Sequence, residues 1–225
     1  MTAPKTPAAS PPRGGASGLG RPGAGPAMDR LLYLYDPMCG WCYGAWPRIA
    51  ELAREAHVEP LPTGLFAGDT DRRIDAAFAA HIVQADARIE AMSGQPFSEA
   101  YRRDVLGRPE LPFHSRTASE ALTVVAQFDP GAELDVLHAI QRERYVHGRD
   151  ITDPAVLATA IAEVLGGGPA LWRERLADPA LAAATDGRIG RARHLMQRVG
   201  AQGVPTLLQV VDGGVRLLSN SALFS

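Results

Sequence analysis

The sequence predicts an α/β fold in which a large all-helical insertion separates the two parts of a small sheet. Three observations support this prediction. A strand, helix and strand pattern occupies residues 31–66, amphipathic helical patterns fill residues 71–177, and a further helix precedes two apolar runs at 207–211 and 215–218. At 225 residues, the chain is long enough for one compact unit with such an insertion.

The first strand and first helix are predicted near the start of the ordered-looking part. Residues 31–35 form a short apolar and aromatic run that ends at Asp36 and Pro37, as a buried strand ends in a turn. Residues 41–57 carry apolar side chains at helical spacing, and Pro47 is the expected position of a kink.

A second strand and six helices are predicted next. Residues 58–66 favour a strand, although Pro60 and Pro62 are poorly suited to the interior of a sheet. Asp153 followed by Pro154 predicts a helix N-cap and first turn. The six helices, each with apolar residues on one face between turn signals, are predicted at residues 71–92, 98–106, 117–128, 131–146, 153–165 and 169–177.

The end of the chain completes the predicted sheet. A helix at 179–199 ends at Gly200, which is a residue typical of helix C-termini. The apolar run at 207–211 predicts a strand, and the turn residues at 212–214 connect it as a hairpin to a final strand at 215–218.

The chain is accordingly divided into three parts. Residues 1–27 contain six Gly, six Pro and no aromatic residue, so they are expected to form a disordered tail. Residues 28–68 together with 178–225 form the predicted sheet domain, and residues 69–177 form the predicted helical insertion domain.

Composition and charge exclude several classes of protein. The formal net charge of −2 provides no basic field for nucleic acid or for anionic lipid. No apolar stretch approaches the roughly 18 residues that a membrane-spanning helix needs, and the N-terminus lacks the apolar core of a secretory signal. We therefore expect a cytoplasmic protein.

The two cysteines carry the strongest chemical signal. Cys39 and Cys42 follow a predicted strand and open a predicted helix, which is the context in which a CxxC spacing indicates redox chemistry. Residues three apart at a helix start lie on one face, so their sulfurs can close a disulfide with little backbone movement. The helix N-terminus stabilises a thiolate, so Cys39 is the expected nucleophile and the more buried Cys42 the resolving thiol.

Three other interpretations of the cysteines compete with this one. Both could be ordinary small core residues. A metal site would need two further ligands, and the six histidines are scattered without ligand spacing, so we expect no metal. A purely structural disulfide is disfavoured in a chain without an export signal. Redox chemistry is the favoured interpretation.

A second signal lies far downstream, where Val204, Pro205 and Thr206 precede the apolar run at 207–211. Proline is unsuited to a central strand, so Pro205 indicates a sheet edge, a strand start or a cis bond in a tight turn.

Together these features resemble the thioredoxin-fold proteins of the DsbA family, and most closely its cytoplasmic, FrnE-like branch. Members of that branch often have Asp-Pro-Met-Cys-x-Trp-Cys at the active site, as residues 36–42 have here. The likeness covers residues 31–218. Further similar positions are residues 94–97, 115–121 and 139–141, with Tyr145, Gly148, Asp150 and Ile151.

The resemblance implies a thioredoxin-like fold for the sheet domain and a specific arrangement of the site. It implies that Pro205 is cis and packs against Cys39 and Cys42, where its ring keeps a metal ion away from the thiolates. The backbone of Val204 is then expected to pair with an extended substrate strand. The helical insertion is expected to cap the sulfur-bearing end of the sheet and to shape the substrate groove.

Several further residues are candidates for the site. Gly40 and Trp41, between the cysteines, are expected to contact substrate, although Trp41 could equally be a partly buried hydrophobic residue. Gln141 and Tyr145 lie four apart on one helical face and could line the groove or pack on the core. Asp36 could accept a proton from the resolving thiol, but a capping or turn role is favoured.

These observations predict a thiol-disulfide oxidoreductase that acts on a disulfide-bearing protein or a low-molecular-weight thiol. No dissociable cofactor is expected, because the electrons reside on the two sulfurs; glutathione is a candidate reductant. One alternative is a glutathione-dependent isomerase or transferase of the 2-hydroxychromene-2-carboxylate isomerase or kappa type, against which the intact Cys42 argues. The other is a non-catalytic partner-binding module.

One departure from the family pattern concerns the end of the chain. Family members usually continue after the final hairpin into a helix that covers a sheet face, whereas this sequence stops at Ser225. Either the sequence is truncated, or the helical block or a second subunit in a homodimer is expected to cover that face.

Overall fold

The computed structural model describes residues 30–224, in which four strands form one mixed sheet. The disordered tail predicted at residues 1–27 lies outside the described residues. The strands stand in the order β2-β1-β3-β4 and are β1 (Arg30–Tyr35), β2 (His57–Pro62), β3 (Thr206–Val211) and β4 (Gly214–Leu217).

Strand β1 lies at the centre and pairs parallel with β2 and antiparallel with β3, which forms a hairpin with β4. Because β2 is an edge strand, Pro60 and Pro62 are accommodated without loss of an interior ladder bond. The prediction that this strand extends to residue 66 is wrong. The chain leaves the sheet after Pro62, and the backbone amide of Phe66 instead donates a hydrogen bond to the carboxylate of Asp36, the residue after β1.

Both faces of β1 are buried, which explains its uninterrupted apolar sequence. Tyr33 and Tyr35 belong to the large core cluster that contains the helical insertion. Leu32 and Leu34 face the opposite side and pack with Leu195 of the last long helix in a smaller cluster.

The helix after β1 is divided in two. It consists of α1 (Gly40–Gly44) and α2 (Trp46–Glu55), with Ala45 between them. The kink expected at Pro47 is therefore displaced by two residues, because proline lacks a backbone N–H and its ring clashes with the carbonyl four residues earlier.

Seven further helices follow in the described residues, and the helical nature of the insertion is confirmed. Asp153 caps its helix as predicted, since its Oδ1 accepts a hydrogen bond of 2.8 Å from the Ala155 amide. The segment predicted at 98–106 begins as α4 and continues as a π-helical turn at Arg102–Leu106. The helices are α3 (Ala76–Ser93), α4 (Glu99–Tyr101), α5 (Arg116–Phe128), α6 (Glu133–Tyr145), α7 (Pro154–Leu165), α8 (Gly168–Leu176) and α9 (Leu181–Val199).

The insertion is tied to the sheet by buried polar contacts. Glu133 of α6 accepts a hydrogen bond of 3.1 Å from the Tyr35 hydroxyl and a forked pair of 2.6 and 2.7 Å from Arg188 of α9. Burial raises the pKa of Glu133 to about 7, and the Arg188 guanidinium acts against this effect. One continuous core cluster thus includes residues of both parts, and the division into two domains stays a prediction.

None of the helices within residues 30–224 combines the length and the apolar character needed to cross a membrane.

Candidate active site

The turn between β1 and α1 is organised around the buried carboxylate of Asp36. Its Oδ1 accepts a hydrogen bond of 2.9 Å from the Met38 amide. Its Oδ2 accepts one of 3.1 Å from the Phe66 amide and one of 2.7 Å from the Ser115 hydroxyl of the residue that precedes α5. Burial raises the pKa of Asp36, while these donors act against that rise. The contacts favour the turn role for Asp36.

The two cysteines stand at the start of α1, and their thiols are 3.5 Å apart without a disulfide bond. Cys39 is the N-cap residue, and its carbonyl accepts hydrogen bonds from the amides of Cys42 and Tyr43. A disulfide is about 2.05 Å long, so closing it requires only a small movement of the sulfurs.

Burial distinguishes the two thiols. Cys39 is 8% exposed and lines a cavity, whereas Cys42 is 1% exposed and does not. Burial raises the pKa of the Cys42 thiol well above its ordinary value, and its contact with Cys39 adds to the rise. The first cysteine is thus the one that a substrate sulfur can reach.

The segment before β3 meets the cysteines from a distant part of the sequence. The Val204–Pro205 peptide bond is cis, as the family resemblance implies. The Cys39 Sγ lies 3.8 Å from the Val204 carbonyl oxygen, to which it can donate a long hydrogen bond. Thr206 closes the turn, because its hydroxyl donates to the Gly203 carbonyl at 2.6 Å.

A cavity of about 190 Å³ lies beside Cys39, between the start of α1 and the helical insertion. Its apolar wall includes Trp41, Phe66, Phe78 and Phe113. Its polar lining includes His81, Asp86 and Arg144.

A larger cavity of about 550 Å³ lies between the loop at residues 200–203 and the end of β4. Its lining contains neither a cysteine nor a titratable side chain, so it offers no group for redox or acid–base chemistry. The cavity of about 190 Å³ is the candidate active site because Cys39 lines it.

Several residues predicted for the site meet at this cavity. Gly40, Trp41 and Tyr145 line it together with Cys39. The half-buried Trp41 ring also meets the Phe224 ring edge-on, with their centroids 5.3 Å apart. Contact of these residues with a substrate stays a prediction.

Tyr145 and Gln141 differ in position although both lie on α6. The Tyr145 hydroxyl donates a hydrogen bond of 2.7 Å to the carbonyl of Met38, the residue before Cys39. Gln141 is 1% exposed, lies outside the cavity lining, and its buried Nε2 has no hydrogen-bond partner in the described residues. Its predicted contact with a substrate stays untested.

Two cavity residues, Asp86 and Arg144, were missed by the sequence analysis. Each is a charged residue on the apolar side of its helix: Asp86 lies three residues before the buried Ile89, and Arg144 lies four after the buried Ile140. A charged residue at a core position of an amphipathic helix was the available signal.

Within residues 30–224, no three His, Cys, Asp or Glu side chains converge in an arrangement that could hold a metal ion.

Comparison with known proteins identifies similar structures. The chain is 30% identical to the cytosolic disulfide reductase DsbM from Pseudomonas aeruginosa, with a TM-score of 0.77, over 87% of this chain and 91% of that one. A second structure of that reductase, with GSH, is 29% identical at a TM-score of 0.75, over 87% of this chain and 92% of that one.

A third structure shares the fold. A candidate protein disulfide isomerase from Nitrosomonas europaea is 22% identical, with a TM-score of 0.73, over 86% of this chain and 93% of that one. The four-stranded sheet with its helical insertion is thus a thioredoxin fold of the DsbA type. No family model matches the chain, and no curated protein sequence matches it.

The hydrogen bond between Ser115 and Asp36 is expected to stabilise the fold measurably. Ser115→Ala removes a 2.7 Å bond to a buried carboxylate, so we predict a loss of about 1–3 kcal/mol in the free energy of unfolding. The measurement is urea denaturation at pH 7.

Ser119→Ala is the matched control, because Ser119 lies one turn further along α5 and its buried hydroxyl has no hydrogen-bond partner in the described residues. This control removes a buried hydroxyl that makes no hydrogen bond, so it should not lower the free energy of unfolding. Equal effects of the two substitutions would contradict the role assigned to Asp36.

Proposed function

Because this chain belongs to the DsbA family of thioredoxin-fold proteins, we propose that Cys39 and Cys42 are the redox pair through which it exchanges thiols and disulfides. The chain is a disulfide oxidoreductase. The assignment of the chemistry to these two residues is supported above all by one observation. Two free thiols lie 3.5 Å apart, and the one that is reachable from a cavity also faces the carbonyl before a cis proline.

The exchange proceeds in two balanced steps. The Cys39 thiolate attacks a substrate disulfide, a bond forms between Cys39 and one substrate sulfur, and the other substrate sulfur leaves as a thiolate that takes up a proton. The Cys42 thiolate then attacks Cys39. The Cys39–Cys42 disulfide forms, the substrate leaves as a second thiol, and two electrons have passed from the protein to the substrate.

The burial of Cys42 determines which cysteine reacts first with the substrate. A buried thiol with a raised pKa remains protonated and cannot compete with Cys39 for the substrate. The same protonation delays the resolution of the mixed disulfide, which leaves time for a substrate to isomerise before it is released.

Reduction or isomerisation is the proposed direction, and the cytoplasm is the proposed compartment. The Pseudomonas relative is described as a cytosolic disulfide reductase, and in a reducing compartment the dithiol form of such a pair dominates. The proposed partners are disulfide-bearing proteins and low-molecular-weight thiols. No dissociable cofactor is proposed; glutathione would restore the dithiol, in keeping with the structure of that relative with GSH.

Substrate binding is proposed at two neighbouring surfaces. An extended peptide would pair with the backbone of Val204, whose carbonyl lies beside the Cys39 sulfur. Gly40 permits close approach of the insertion to the cysteine pair, and Trp41 would offer an aromatic contact to the bound chain.

Single cysteine substitutions test the assignment of the two roles. Cys42→Ser should accumulate a 1:1 mixed disulfide with glutathione disulfide, because no second thiol resolves it, whereas Cys39→Ser should form none. Mass spectrometry of the intact protein measures both. Wild-type protein should also precipitate insulin chains by reduction with glutathione as the reductant, and both variants should lose this activity.

A different pattern of activities would support the alternative of a glutathione-dependent isomerase or transferase. If Cys42→Ser conjugates glutathione to a small electrophile while the wild-type protein leaves insulin oxidised, the redox assignment is wrong.

The raised pKa of Cys42 predicts a pH-dependent resolution step. Since the attacking species is the thiolate, the resolution rate should rise about tenfold per pH unit between pH 6 and pH 8, below the thiol's raised pKa. Stopped-flow reaction with an aromatic disulfide reports this rate as a second release of coloured thiol.

The Cys42→Ser variant, which lacks the second release, is the control. A resolution rate that levels off below pH 7 would contradict this prediction and favour Asp36 as a proton acceptor.

A further inference from the structure

We propose that Arg144 and Asp86 form a subsite for the zwitterionic α-amino-acid group of a low-molecular-weight thiol, such as the γ-glutamyl end of glutathione, whose sulfur exchanges with Cys39. The inference rests on the proposed function and identifies where this class of substrate is recognised. It concerns the cavity of about 190 Å³ beside Cys39, which both charged side chains line.

Arg144 places a buried positive charge in this cavity. The residue is 2% exposed, its Nε has no hydrogen-bond partner, and it forms no ion pair with a carboxylate of the described residues. Its guanidinium carbon lies 5.5 to 5.8 Å from the ring centroids of Tyr101, Phe113 and Tyr145. The planar guanidinium presents pairs of N–H donors that match the two oxygens of a carboxylate. A carboxylate is therefore the ligand that suits this group.

Asp86 supplies the opposite charge on the facing helix α3. The residue is 4% exposed, and its buried Oδ2 has no hydrogen-bond partner in the described residues. Its Oδ1 lies 3.0 Å from the position that a Cβ would take at Gly40, so the carboxyl group abuts the segment between the two cysteines. Burial raises the pKa of Asp86 to about 7, and the Tyr101 hydroxyl and the Arg144 charge act against this rise. An ammonium group beside it would stabilise its charged form.

The two charges are near each other but are not paired with each other. A small molecule that carries a carboxylate and an ammonium group would satisfy both at once, whereas a peptide backbone carries neither charge. The cavity is also smaller than the roughly 300–1,000 Å³ typical of sites for drug-sized ligands, which suits one amino-acid group rather than a folded substrate.

The reaction at this subsite is the reduction of the oxidised protein. The thiolate of one small thiol attacks the Cys39 sulfur, the Cys39–Cys42 bond breaks, and the Cys42 thiolate takes up a proton. A second small thiol attacks the sulfur of the first, releases the Cys39 thiolate and leaves as the symmetric disulfide. Two thiols are oxidised and the protein disulfide is reduced.

The test compares three thiols as reductants of the oxidised full-length protein: glutathione, N-acetylated glutathione, which lacks the ammonium group, and 2-mercaptoethanol, which carries neither charge. The rate of each is followed at pH 7 by stopped-flow tryptophan fluorescence. Arg144→Met should slow reduction by glutathione about tenfold and leave the rate with 2-mercaptoethanol within twofold. Asp86→Asn should slow glutathione about tenfold but leave the rate with N-acetylated glutathione nearly unchanged.

Arg102→Met is the matched control. The Arg102 charge also acts on Asp86, but its side chain pairs with Glu99 and lies outside the cavity lining. This variant should reduce with all three thiols at the wild-type rate. The rate with 2-mercaptoethanol reports correct folding of each variant, and the isosteric Asp86→Asn keeps the test decisive if Arg144→Met unfolds.

Equal effects on glutathione and 2-mercaptoethanol in Asp86→Asn, or no effect on either, would overturn the subsite. Failure of the proposed function has a different signature: the Cys39→Ser variant would then still form a mixed disulfide with glutathione. The two failures can therefore be told apart.

Discussion

The carboxylate of Asp36 joins three segments of chain that are remote in sequence, and the geometry of the cysteine pair depends on that junction. It accepts hydrogen bonds from the turn that carries Cys39, from Phe66 after β2 and from Ser115 at the start of α5. The insertion is therefore not simply appended to the sheet. One buried carboxylate with three donors thus connects the turn after β1, the segment after β2 and the start of α5.

This junction positions two chemically different sulfurs. Cys39 faces the cavity and the Val204 carbonyl, while Cys42 is sealed in the core, where its carbonyl accepts a hydrogen bond from the Tyr33 hydroxyl. The Tyr145 hydroxyl holds the Met38 carbonyl from the insertion side. This difference in access supports the proposal that Cys39 is the nucleophile and Cys42 the resolving thiol in two-step disulfide exchange.

Much of this arrangement could be predicted from the sequence, because its signals are local. The apolar run of β1, the cap at Asp153 and the position of the CxxC after a strand all follow from neighbouring residues. The cis bond at Pro205 required the family resemblance, since a proline before a strand is by itself ambiguous. The end of β2 could not be predicted from neighbouring residues, because the segment after it bonds to a residue distant in sequence: the Phe66 amide donates to the Asp36 carboxylate.

The charged lining of the cavity escaped prediction for a similar reason. Asp86 and Arg144 lie on different helices, and only the tertiary fold brings them to the same cavity beside Cys39. Gln141 shows the opposite case. Its helical spacing from Tyr145 suggested a position at the groove, but its side chain is buried and lies outside the cavity lining.

The most direct measurement of the central claim is the alkylation of the reduced wild-type protein by limiting iodoacetamide at pH 7, with the modified cysteine identified by fragmentation mass spectrometry. We predict that Cys39 is labelled in preference to Cys42 by on the order of a hundredfold, because Cys42 is buried and the pKa of its thiol is raised. Equal labelling of the two thiols, or preferential labelling of Cys42, would contradict it.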